Sequence, residues 1–86
     1  MSREQEHPPV DPPLELDCRG LICPAPVLEL ARRLPDVAVG SVVAVLATDV
    51  AARTDVPAWC RMRSQEYLGS DTAPDGTPRY LVRRLS

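Results

Sequence analysis

An α+β fold is the expectation for this 86-residue chain: a two-layer sandwich of order βαβαββ, with two helices packed on one face of a four-stranded mixed sheet. Three observations carry it. A short alternating run at Leu14-Glu15-Leu16-Asp17 is followed by apolar positions at helical spacing. A continuous β-branched run, Val42 to Ala47, occupies the middle. Two strand-like stretches then flank the turn signal Pro74-Asp75-Gly76. A chain of this length supports one modest core. With 44% hydrophobic residues, no Phe, one Trp and two Tyr, that core has to be aliphatic.

Residues 1–13 are polar and carry Pro8, Pro9, Pro12 and Pro13, so they are expected to form a disordered or polyproline-like tail ahead of a domain spanning 14–86. His7 lies in that tail and is expected simply to be solvated. Leu14 to Asp17 alternates apolar and polar side chains, the period of a strand. Arg19-Gly20 supplies a turn. Val27, Leu30, Ala31 and Leu34 fall at i, i+3, i+4 and i+7, one stripe of a helix that leaves Glu29, Arg32 and Arg33 in water. Pro35 stops that helix, because the residue before a proline is pushed out of helical geometry.

Ser41 to Thr48, which contains that run, is too short for a typical helix and is expected to be a central strand buried on both faces or nearly so. Asp55-Val56-Pro57 looks like the start of a second helix, with Asp55 as N-cap and Pro57 in the first turn. Val56, Trp59, Cys60 and Arg63 then share one face. Tyr67 to Leu85 forms a hairpin. There is no internal repeat.

Net charge is −2, which argues against an electrostatic nucleic-acid binder, as does the scarcity of aromatic residues for base stacking. No apolar run approaches the roughly 20 residues of a membrane span. The polar start Met1 to His7 lacks a signal-peptide core. Three cysteines allow at most one internal disulfide, and a reducing cytoplasm fits best. All ten basic residues are arginine. Arg79, Arg83 and Arg84, with Arg32 and Arg33, are candidates for a basic patch that steers a partner.

The chemistry concentrates at Cys23-Pro24-Ala25-Pro26. Proline is tolerated in the first turn of a helix, so Cys23 is placed at the N-cap with Pro24 at N1. Partial positive charge at a helix start favours thiolate over thiol. The prolines stiffen the turn, small Ala25 leaves the sulfur accessible, and the Ala25 amide is expected to point back at it. A stabilised, accessible thiolate suits persulfide transfer, in which it attacks a donor persulfide and becomes Cys–S–SH. The competing expectation is a small buried hydrophobe at a helix start.

Leu16-Asp17-x-x-Gly20-x-x-Cys23-Pro24-x-Pro26 resembles the signature of the TusA (SirA-like) sulfur-carrier family. The block from Asp49 through Asp55-Val56-Pro57-x-Trp59-Cys60 is similar to that family's second-helix segment, and Arg79 to Arg83 to its last strand. Together these motifs cover residues 14 to 85. The resemblance implies that Cys23 carries the persulfide, with Asp17, Gly20, Pro24, Ala25, Pro26 and Asp49 as supporting positions and with no cofactor. It also implies a cysteine desulfurase or rhodanese as donor and a downstream acceptor protein. The destination would be tRNA 2-thiolation, molybdenum cofactor or sulfur metabolism, with nucleic acid involved only indirectly and the carrier a monomer. Three positions depart from the family pattern: Ala25 where Glu is frequent, Val50 where Pro commonly follows the aspartate, and the extra Cys18.

Asp17 and Asp49 each end a strand; the resemblance implies that both ends lie near Cys23, and both residues are expected chiefly as turn caps. Cys60 is assigned to packing. Cys18 is either surplus or a resolving thiol for Cys23. A zinc site built from the three cysteines and His7 matches no ligand spacing. The alternative to a sulfur carrier is a non-catalytic protein- or RNA-binding regulatory module on the same fold.

Overall fold

The structure, a computed structural model, describes residues 14–86; the expected tail at 1–13 lies outside the described residues. The elements are β1 (Leu14–Cys18), α1 (Ala25–Arg33), β2 (Val42–Ala47), α2 (Ala52–Arg63), β3 (Glu66–Thr72) and β4 (Pro78–Arg83), with a short 3-10 turn, Leu34–Asp36, closing α1. The strand order is β1-β2-β4-β3, β1 running parallel to β2 and the other two pairs antiparallel. The sheet is therefore mixed, as the sequence suggested. Parallel neighbours need a crossover, which α1 provides.

Alternation along the strands divides the residues between two faces. Leu16 and Cys18 of β1, Val43, Val45 and Ala47 of β2, and Tyr80 and Val82 of β4 join Leu30, Leu34, Val56 and Cys60 in one core under the helices. β2 is buried on its other side too, at Ala44 and Leu46, because it is flanked by strands on both edges. The expected stripe of α1 holds: Leu30 is fully buried, Leu34 nearly so, and Val27 packs against the core, while Leu28 faces water.

The open face of the sheet is covered by charge. Arg79 Nη2 donates to Asp71 Oδ2 at 2.7 Å and Nη1 to Glu15 Oε2 at 3.1 Å, reaching over β2 to do so. Arg83 pairs with Glu66 at 2.9 Å. A bulge in β3 makes the first arrangement possible. Tyr67 faces Val82, but the register slips so that Gly69, at φ 114°, faces Leu81 and Asp71 faces Arg79. A one-residue slip exchanges the faces of a strand. Without it, Asp71 would point into the core.

These pairings correct the expected basic patch. Arg32 bonds Glu29 on α1 and Arg33 bonds Asp36 of the turn that follows, Arg79 and Arg83 are paired on the opposite face of the sheet, and Arg84 Nη1 donates to the Val37 carbonyl at 2.7 Å. The five arginines do not share a surface.

α2 begins four residues earlier than expected, with Ala51 rather than Asp55 at the N-cap. Asp49 Oδ1 accepts the Ala51 N–H at 3.1 Å, an Asx turn that starts the chain coiling before Asp55 is reached. Asp55 therefore lies in the first turn rather than at the N-cap, and Pro57 lies inside the helix. The hairpin turn lies where Pro74-Asp75-Gly76 placed it, with Gly76 at φ 89°.

Two outcomes test this architecture. Leu30→Ala should cost about 2 to 5 kcal/mol in urea unfolding, the range for opening a cavity in a packed aliphatic core. Arg19 pairs with Asp17 at 2.8 Å and with Asp75 at 2.7 Å, tying the end of β1 to the hairpin. The Arg19 guanidinium holds Asp17 at about 2, and the Thr77 amide, with Arg19 helping, holds Asp75 at about 2. Both carboxyls are depressed in the folded state, so their contribution is present above the ordinary carboxylate range and is lost as pH falls from about 4 through about 2. In Arg19→Ala the urea midpoint should fall less steeply across that window than in the wild type.

Candidate functional site

The site lies where the parallel strands β1 and β2 end, the edge at which α/β sheets open a crevice. The loop from Arg19 to Pro24 leaves β1 there and is fastened to the end of β2 by two bonds. The Gly20 N–H donates to Thr48 Oγ1 at 3.0 Å, and the Cys23 N–H donates to Asp49 Oδ2 at 2.7 Å. Gly20 adopts φ 84°, a conformation that a side chain at this turn would strain. Asp49 thus does two jobs, one oxygen starting α2 and the other holding the cysteine backbone. The expected cap and the expected proximity to Cys23 are both seen.

α1 starts one residue later than expected. Pro24 is the N-cap, its carbonyl accepting the Leu28 N–H at 3.0 Å, and Cys23 precedes it through a cis peptide bond. The Ala25 amide does not point at the sulfur, because it donates to the Ile22 carbonyl at 2.8 Å. Ala25 is half-buried, and Pro26 is buried against the core side of α1.

The sulfur is exposed, and what faces it is a carboxylate. Cys23 Sγ–H donates to Asp55 Oδ2 at 2.5 Å, from the first turn of α2. The hydrogen bond to Asp55 and the negative charges of Asp55 and Asp49 raise the Cys23 thiol above its ordinary value. This reverses the expected thiolate. The helix start contributes little, since its nearest donor is spent on Ile22, whereas two acidic groups act at close range. Asp49 itself is held below the ordinary carboxylate range by the Cys23 and Ala51 amides.

Asp17 does not join the group. Leu16 and Cys18 occupy the core side of β1, so the residue between them projects from the opposite face, where it binds Arg19. Asp55 is the site residue that sequence reasoning assigned elsewhere. Its signal, an acid beside the first-helix cysteine in space, is invisible until α2 is known to start at Ala52.

Cys18 and Cys60 are buried and free, like Cys23 in having no disulfide but unlike it in having no access to solvent. Burial pushes the Cys60 thiol up to about 11 and raises that of Cys18 too. Cys18 is therefore packing rather than a resolving thiol. Around Cys23 the surface is apolar: Leu21 and Ile22 precede it and Val50 follows Asp49, with Ile22 70% and Val50 79% exposed. Among the described residues no group of His, Cys, Asp and Glu side chains is arranged to hold a metal ion, and no helix is long and apolar enough to cross a membrane.

Fold and site together make a small α+β sandwich that presents one exposed thiol on a fastened loop. Comparison with known proteins gives the family. The family model described as Sulfurtransferase TusA matches residues 14–84, so the chain belongs to the TusA family of sulfur carriers. It is 38% identical to the sulfur carrier protein TusA of Pseudomonas syringae pv. syringae (strain B728a) over 86 residues, covering 100% of this chain and 99% of that one. It is 39% identical to the sulfur carrier protein TusA of Pseudomonas entomophila (strain L48) over 69 residues, 80% of this chain and 85% of the relative. The fold matches the crystal structure of a SirA-like protein from Desulfitobacterium hafniense with a TM-score of 0.71. That match has 19% identity and covers 85% of this chain and 99% of that chain.

The three cysteines should separate cleanly in alkylation. Iodoacetamide should label Cys23 alone in the native protein, with a pH midpoint above the roughly 8.5 of an unperturbed thiol. Cys18 and Cys60 should react only after unfolding, as peptide mass mapping would show.

Proposed function

We propose that the chain carries sulfane sulfur as a persulfide on Cys23, accepted from a cysteine desulfurase or rhodanese and relayed to a downstream acceptor protein. The observation that carries this reading is that Cys23 is the one exposed thiol of the three, held by Asp49 at a sheet edge within an apolar collar. A protruding thiol can enter another protein's active site, where a cleft on the carrier itself would be of no use. Leu21, Ile22 and Val50 provide apolar area for contact on either side of the sulfur.

The transfer is thiol–persulfide exchange. Cys23 sulfur attacks the outer sulfur of the donor persulfide, the donor's S–S bond breaks, and the donor leaves as thiolate. The same exchange in reverse order delivers the sulfur to the acceptor. Pro24 and Pro26, at the start of α1, stiffen the segment that presents the sulfur, and Gly20 permits the turn that delivers it. Asp17 acts at one remove, fixing Arg19 and through it the hairpin.

The same reading places the protein in the cytoplasm, as a monomer, on a route to tRNA 2-thiolation, molybdenum cofactor or sulfur metabolism. Nucleic acid would be met only through the acceptor, since the net charge is −2 and Arg32, Arg33, Arg79 and Arg83 are already paired. The regulatory-module alternative loses its redox partner with Cys18 buried.

Incubation with a cysteine desulfurase and cysteine should add one sulfur to the wild type by intact mass, and none to Cys23→Ser. Equal loading of the two proteins would overturn the assignment.

A further inference from the structure

The resting site poses a problem for sulfur transfer. Its nucleophile is a thiol, and two carboxylates oppose its ionisation. Asp55 Oδ2 accepts the Sγ–H directly from α2, and Asp49 stands on the turn between β2 and α2 with Oδ2 on the Cys23 amide. α1 brings no acidic group to its first turn, and its cations, Arg32 and Arg33, are at its far end and bonded to Glu29 and Asp36. Loss of the proton to water would leave sulfur and Asp55 both negative within hydrogen-bonding distance. Movement of the proton from sulfur to Asp55 leaves the pair's charge unchanged.

Resting on the carrier reading above, we propose that Asp55 is a catalytic residue of the transfer step: it takes the Cys23 proton as the sulfur attacks, and returns it to the departing thiolate. The atoms balance without an outside reagent. The Cys23 S–H bond breaks and its proton goes to Oδ2. The sulfur's electron pair forms a bond to the outer sulfur of the donor persulfide, which keeps its own proton. The donor's S–S bond breaks with its pair on the inner sulfur, and that thiolate takes the proton from Asp55. A Cys23 persulfide and a donor thiol result, with no net oxidation or reduction across the sulfurs. General-base help of this kind requires the acceptor to be within hydrogen-bond reach of the proton it removes, and Oδ2 already is.

The role separates from a merely electrostatic one because the two act in opposite directions. If Asp55 serves only as a nearby negative charge, its removal frees the thiolate and speeds every reaction of Cys23. If it takes the proton in the transfer, its removal speeds alkylation and slows sulfur loading. The probes are iodoacetamide and glutathione persulfide, used on the full chain.

In Asp55→Asn the pH midpoint of alkylation should fall, so that labelling at pH about 7 is faster than in the wild type. Loading from glutathione persulfide at the same pH, followed by intact mass, should be at least about tenfold slower. Asp55→Glu, which keeps the carboxylate, should recover most of the loading rate. Loading by Asp55→Asn as fast as or faster than wild type would overturn the role while leaving the carrier reading intact. A wild type that takes up no sulfur from either glutathione persulfide or a desulfurase would overturn the carrier reading and this role with it.

Discussion

Asp49 stands at the junction on which the site depends. One carboxylate oxygen accepts the Ala51 amide and the other the Cys23 amide. The first bond starts α2 at Ala52, which brings Asp55 round to face the sulfur; the second fixes the loop that carries the sulfur. Hydrogen bonds to an ionised carboxylate are among the stronger ones in proteins, and the Gly20–Thr48 bond adds a second tie to the loop. The exposed thiol is thus positioned by the end of a central strand that is itself buried on both faces. The surface thiol is tied to the most deeply buried strand of the sheet.

The electrostatics of that atom run against the simple rule that a cysteine at a helix start is a thiolate. The rule holds when free amides converge on the sulfur. Here a short turn consumes the Ala25 amide, the adjoining prolines have none to give, and Asp55 occupies the space beside the sulfur. A carrier whose thiol is protonated at rest reacts slowly with stray electrophiles, yet its proton already points at a carboxylate oxygen. Restraint and readiness come from one contact.

Charge is used differently on the sheet's open face. Glu15, Asp71 and Arg79 bridge three strands above Leu46, and Arg83 and Glu66 continue the pattern at the hairpin's other end. Exposed ion pairs of this kind contribute modestly to stability. Their clearer effect is to specify register, since a slipped β3 would set Asp71 in an apolar layer. The bulge at Tyr67–Gly69 belongs to the same device.

Much of this was legible in the residues. Leu30 and Leu34 at helical spacing, the β-branched run of β2 and the Pro74-Asp75-Gly76 turn each express a local periodicity or a local backbone preference, and each element formed where it was expected. The order of those elements, with their buried faces, was enough for the two-layer sandwich, and the spacing around Cys23 marked the cysteine itself. What the sequence could not determine was the company that cysteine keeps. Asp55 is 32 positions away along the chain, and its approach depends on where α2 begins. Asp17, adjacent by motif, is turned to the opposite face by the pleat of β1. Cys18, near in sequence, is buried by the same pleat. Local pattern decides which face of an element is apolar; only the packing of elements against one another decides which side chains from distant segments meet, and it was that meeting that set the charge state of the thiol.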